Sequence, residues 1–187
     1  MICDDGRIID AVTDTFWRGG FSETSISNLS AASGASRASL YKLYGDKHAL
    51  LAAALDRYAA RVAARVGEIL AQTSDPVQAV AAMLHASADR MMDPHRPDGC
   101  LRCRSTLELR GHTAEVDAAL DRVNSDYVRN MRRLLNADGK GREADAATAR
   151  VLAAAVGGMV TLAEAGASRA DLQDVIGGAL EVVRARL

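Results

Sequence analysis

Aromatic side chains are scarce: two Phe, one Trp and four Tyr make up 4% of 187 residues. With few large rings available, the core must come from Ala, Leu and Val, and stretches such as LLAAAL and VLAAAV favour helix over strand. Cysteine is as sparse, at three, an odd number that builds no disulfide framework. The three prolines fall at 76, 94 and 97, and none sits inside a long periodic segment. Neither sign of charge prevails: 23 Lys and Arg face 24 Asp and Glu, so the molecule as a whole is not an obvious polyanion binder. No apolar run approaches the ~18 residues that span a bilayer. The opening MICDDGR is acidic and has no apolar h-region. A soluble, cytoplasmic, globular chain is expected.

What the sequence does hold is helical periodicity. Ile8, Ile9, Val12 and Phe16 recur at three- and four-residue spacing until Gly19-Gly20 stops the helix. A second helix is predicted from about Ile26 to Ser33, capped by Thr24 or Ser25 and ended by Gly34. Ser36 caps a third, short one to about Leu43, and Asp46 a fourth, from Lys47 to about Gln72. Asp75-Pro76 is a cap followed by the residue favoured at the first helical position, and opens a helix to about Met92. A short helix over 100–110 follows, then a long stripe of Val116, Leu120, Val123, Tyr127, Met131 and Leu134. Two more helices run from about Glu143 to Ala165 and from Ser168, whose pairing with Asp171 resembles a capping box. No period-two alternation of useful length occurs. The fold class is all-α, with about nine helices.

Ile26 to Leu43 reads as two helices joined by a tight Gly turn. Leu29 and Ala32 can meet Leu40 and Leu43 as a small shared core, leaving Arg37, Ala38, Ser39, Tyr41 and Lys42 around the outer side. That is helix-turn-helix logic, with the second helix in a major groove. Arg37 can reach a base edge, while Lys42, Lys47 and the hydroxyls of Tyr41, Thr24 and Ser25 suit phosphate oxygens. The bland alternative stays open, because a helix–turn–helix with surface charges is common in all-α proteins. Charge does not decide: residues 1–52 carry five Lys and Arg against six Asp and Glu, yet Gly34 to Lys47 holds three cations and one acid.

The run RIIDAVTDTFWRGGFSETSISNLSAASGASRASLYKLYGDKHALL closely resembles the N-terminal domain of the TetR family of transcriptional regulators. Ile8-Ile9, Ala11-Val12, Phe16, Gly20-Phe21, Thr24-Ser25-Ile26, Gly34-Ala35-Ser36, Leu40-Tyr41, Tyr44, Lys47 and Leu50 fall in register over about residues 7–55. Departures are mild: Ser33 and Ala35 stand where Ala and a larger aliphatic are usual, and Leu29-Ser30 replaces Ile-Ala. The resemblance implies phosphate contacts at Thr24, Ser25, Tyr41 and Lys47, and groove contacts at Arg37, Ala38 and Ser39, with Ser36 as the cap. It also implies a DNA-binding domain over 1–46 and a helical effector-binding and dimerisation domain over 47–187. The function to expect is a ligand-responsive regulator, most naturally a repressor on a palindromic double-stranded DNA operator, released by a small-molecule effector.

For the second domain, the small residues of ATARVLAAAVGGMVTLAEA, with Gly157-Gly158 in mid-helix, suit close helix approach. The resemblance implies a homodimer, and the last two helices are its expected interface; packing within one chain is the alternative. Candidates for an effector pocket are Tyr58, Met83, Met91, Cys100, Cys103, Tyr127 and Met131, although a Met stripe at helical spacing also serves as plain core. The stretch DGCLRCRSTLEL resembles a subgroup of the family in which this Cys, followed by a helix bearing a Glu (here Glu108), recurs and some members sense electrophiles or oxidants. Cys100 near a helix N-terminus with Arg102 and Arg104 adjacent could be a stabilised thiolate, and Cys103 its resolving partner; two small buried side chains are the other reading. The CxxC with His95 and His112 lacks zinc spacing, so no metal and no cofactor is expected. No nucleophile triad, carboxylate pair or phosphate loop points to an enzyme.

Overall fold

A computed structural model describes residues 5–95, 97, 99–140 and 145–187. Among them the chain forms nine helices and no strand: α1 (Asp5–Gly19), α2 (Ile26–Ser33), α3 (Arg37–Tyr44), α4 (Lys47–Leu70), α5 (Pro76–Met91), α6 (Leu101–Leu109), α7 (Ala114–Leu135), α8 (Asp145–Glu164) and α9 (Arg169–Arg184). The all-α expectation is met. The start expected for α8 at Glu143, and Asp4 ahead of α1, lie outside the described residues.

The boundaries follow from caps. Ser25, not Thr24, caps α2: its side chain accepts from the Asn28 N–H at 3.1 Å while Asn28 accepts from the Ser25 N–H at 2.8 Å. Gly34 adopts a left-handed φ of 71°, which a side chain would strain, and turns the chain into α3. Ser36 caps α3 by accepting from the Ser39 N–H. Asp46 accepts from the His48 and Ala49 N–H groups to open α4, and Asp75-Pro76 and Ser168 with Asp171 cap α5 and α9 as expected.

Two compact units result. One holds the chain up to Ala60 together with Cys100–Asn124, so the unit containing the helix-turn-helix extends past residue 46 to take in the first half of α4, all of α6 and half of α7. Its core is Ile8, Val12, Phe16 and Trp17 of α1 against Leu29, Leu40, Leu50, Leu51, Leu55 and Tyr58. Six of the seven aromatic residues lie here, and they set the geometry: Phe16 stacks on Phe21 at 6.0 Å, and Trp17 meets Tyr58 edge-on at 5.0 Å. Asp10 and Arg57 form a two-point ion pair from α1 to α4, at 2.7 and 2.8 Å.

The small core shared by α2 and α3 differs from the expected one. Leu29 and Leu40 are fully buried and Ala35 joins them, but Ala32 and Leu43 are exposed. One leucine near the middle of each helix, Leu29 and Leu40, makes the shared core.

The second unit, Arg61–Gly99 with Ser125–Leu187, packs α5, α8 and α9 on one another around aliphatic and Met side chains, Val80, Met83, Leu84, Leu152, Val156, Met159, Ile176 and Val183 among them. Over residues 146–164 α8 is long and apolar enough, by length and composition, to cross a membrane, against the expectation that no stretch approaches this. Averaged composition admits it because Ala, Val and Gly dominate between Arg150 and Glu164, whereas uninterrupted runs do not. Here Leu152, Val156 and Met159 are core. Within the chain, a Cβ added at Gly158, Gly177 or Gly178 meets nothing within 4 Å. Close packing inside one chain is therefore not what keeps Gly158 small.

Candidate nucleic-acid interface

Eight residues make a marginal helix on their own, so α3 is held by its surroundings: Ser36 at its start, the buried Leu40 in the middle, and Gly45 at its end. With Leu40 inward, helical geometry turns Ala38 and Lys42 about 160–200° away. Both are exposed, as are Arg37 and Tyr41, while Ser39 is half-buried. Ser36 and Ser39 share a hydroxyl–hydroxyl hydrogen bond of 2.9 Å at the start of the helix. A short, narrow N-terminal half with small side chains and one long arginine fits a groove floor.

Ser25 is exposed at the N-terminal end of α2, where first-turn N–H groups lie outside the helical ladder and attract anions. Thr24 is differently placed. It is buried, and its hydroxyl donates to the Gly20 carbonyl at 2.6 Å, so its proton is spent inside the turn. Lys47 is half-buried with Nζ 4.2 Å over the Phe21 ring, and His48 lies against the same ring at 4.8 Å. Burial lowers the Lys47 pKa and the nearby Glu108 charge acts the other way. Between α1 and α2 an open groove of about 510 Å³ is lined by Asp14, Arg18, Glu23, Thr24 and Asn28 among others, a feature no pattern in the sequence announces.

The corner between α1 and α2 is gripped by α6. Arg104 Nη1 donates to the carbonyls of Trp17 and Arg18 at 3.2 and 2.9 Å. Glu108 accepts from the Phe21 and Ser22 N–H groups at 2.9 and 2.6 Å. Burial pushes the Glu108 carboxyl up, but the bonds from Ser22 and Phe21 and the charge of Arg104 more than offset it, leaving its pKa below the usual value. Partners 86 and 87 residues apart leave no trace in local spacing, so sequence reasoning placed Arg104 with the thiols instead.

The pocket candidates divide between the two units. Tyr58, Cys100 and Cys103 fall in the first, and Met83, Met91, Tyr127 and Met131 in the second. All but Cys103 are buried. Cys100 is the N-cap of α6, and its sulfur lies 3.1 Å from the Tyr58 hydroxyl. Hydrogen bonding from Cys103 holds its thiol well below the ordinary range, helped by the Arg102 guanidinium and Tyr58 and opposed by burial.

A profile described as bacterial regulatory proteins, tetR family, matches residues 8–54. The HTH-type transcriptional repressor ComR of Escherichia coli (strain K12) is 25% identical over 135 residues, 72% of this chain and 64% of that protein. The match thus spans less than two thirds of that curated relative's length. Among solved structures, a cysteine mutant of the TetR family transcriptional regulator CifR, complexed with 26-bp double-strand operator DNA, superposes with a TM-score of 0.77 at 24% identity, covering 97% of each chain. Reduced E. coli NemR does so with 0.77 at 18% identity, covering 96% and 95%. These structural likenesses are of fold, while the profile match lies on α1 to the start of α4. Over residues 8–54, from α1 into the start of α4, the chain is similar to the tetR family of bacterial regulatory proteins.

Proposed function

We propose that this protein is a cytoplasmic transcriptional repressor, not an enzyme, that binds a palindromic DNA operator as a homodimer and is released by a small-molecule effector. The observation that carries the reading is α3: a helix anchored by Leu40 and capped by Ser36 that turns Arg37, Ala38, Tyr41 and Lys42 outward. Arg37, Ala38 and Ser39 face the groove; Ser25, Tyr41, Lys42 and Lys47 take phosphates, and Thr24 supports the turn from within. Residues 1–46 form the DNA-binding domain and 47–187 the effector and dimer domain. The operator complex of CifR and the repressor name of ComR support the same assignment.

Dimerisation is assigned to α8 and α9. Val151, Leu162 and Val182 are exposed there, and the open space over Gly158, Gly177 and Gly178 leaves room for a second copy. A two-fold dimer matches half-sites about one helical turn apart. Effector binding shifts the equilibrium away from the operator-competent state. Its candidate contacts form two separate sets, Tyr58, Cys100 and Cys103 in one unit and Met83, Met91, Tyr127 and Met131 in the other. The test is selection of genomic fragments on the purified protein with Arg37→Ala as control. An enriched palindrome lost in the variant is the expected result, and no enrichment at low salt would overturn the reading.

A second reading, release through the thiol at Cys100, draws on the bonds from Cys103 and Tyr58 and on the lowered thiol pKa. Under it, oxidant releases operator, dithiothreitol restores binding, and Cys100→Ser stays bound in oxidant. A variant that is released like the wild type would refute it.

A further inference from the structure

The contacts of α6 with the α1–α2 corner go beyond what packing requires. Arg104 and Glu108 are four residues apart and so share one face of the helix. The first reaches carbonyls at the end of α1; the second takes two N–H groups inside the turn. Between these grips lies Gly20, with φ 71°. A Cβ there would stand 3.1 Å from Glu108 Oε2, a tight contact, and 3.5 Å from Arg104 Cδ, and the left-handed φ would strain any side chain at this position.

From this corner the path to α2 is short and stiff. The Thr24 N–H donates to the Phe21 carbonyl at 3.2 Å, the Thr24 hydroxyl holds the Gly20 carbonyl, and Ser25 begins α2. Phe21 also carries Lys47 on its ring face. Moving the corner therefore moves the start of α2 and the seat of Lys47 together.

We propose that Arg104 and Glu108 are positioning residues for DNA recognition, setting from α6 the orientation in which α2, α3 and Lys47 meet the duplex. The proposal rests on the DNA-binding reading. Neither residue touches DNA; each acts through backbone groups of residues 17–22, and loosening the corner spreads α2 and α3 over orientations of which only one fits the groove.

The test uses the full chain with Glu108→Gln and, independently, Arg104→Gln, each checked for unchanged helical content. Hydrogen exchange of the Phe21 and Ser22 amides is read by NMR, and affinity for the selected palindrome by fluorescence anisotropy. Loss of a charge-assisted bond predicts about tenfold faster exchange at those two amides in Glu108→Gln, and about tenfold weaker operator binding in both variants. Wild-type protection of the two amides should fall as pH drops through the range in which Glu108 protonates, and the Gln variant should lack that step. Faster exchange with unchanged affinity would overturn the positioning role, and unchanged exchange would overturn the grip itself. Wild-type protein that binds no duplex would overturn the DNA-binding reading and this proposal with it, a failure told apart because it appears before any variant is made.

Discussion

Lys42 tests the interface most directly, because its removal predicts a slope as well as a loss. It lies opposite the buried Leu40 on α3, exposed, with no part in the core. If its ammonium sits on a phosphate, a two-fold dimer neutralises two phosphates through this position. Each releases about 0.9 counterion from B-DNA, so Lys42→Gln should flatten the plot of log K against log salt by about 1.8. Between about 50 and 200 mM salt, that difference amounts to about tenfold in relative affinity. The wild-type advantage should be largest at low salt and shrink by that factor across the range. Anisotropy titrations of a labelled operator at several salt concentrations would show it. Parallel lines would refute the phosphate contact, and a slope change of about half the value would mean that one copy, not two, engages the duplex.

Removing the Ser36 cap (Ser36→Ala) should cost about 1 kcal/mol in urea unfolding and Ser36→Gly only a few tenths; equal midpoints for all three proteins would show that the cap is not holding α3. The Glu108 carboxyl has a lowered folded pKa, so its contribution is complete above the unfolded value of about 4.3 and is lost as pH falls through the folded one. The thermal midpoint of Glu108→Gln should accordingly fall less steeply than that of wild type below about pH 4.3, and identical profiles would refute it. Gly20→Ala should destabilise by at least about 1–2 kcal/mol from its left-handed φ alone, and an unchanged melting curve would contradict the corner geometry. Leu162→Arg should halve the mass seen by sedimentation while leaving the fold intact; a variant that stays dimeric would move the interface off α8.

Helices and their ends were legible because their causes are local. Gly34, Ser36, Asp46, Asp75-Pro76 and Ser168 with Asp171 act within four residues of themselves, so spacing alone announces them, whereas the choice of Ser25 over Thr24 to cap α2 came from the structure. The outward set on α3 was legible for the same reason: once Leu40 points in, the helical period turns Ala38 and Lys42 out. Which small residues close the α2–α3 core was not legible. Ala32 and Leu43 have the right spacing, yet the tertiary packing leaves both in solvent.

Long-range partners lay further out of reach. Nothing in the order of residues says that Glu108 takes the Phe21 and Ser22 amides, that Arg104 turns toward α1 rather than the thiols, or that Thr24 spends its hydroxyl on Gly20. The sequence by itself determined the all-α class, the helix ends and the outward face of α3, because periodicity and capping act over one or two turns. Tertiary structure alone decided what α6 holds, what Cys100 touches and which leucines are buried, because those depend on where helices distant in the chain come to lie.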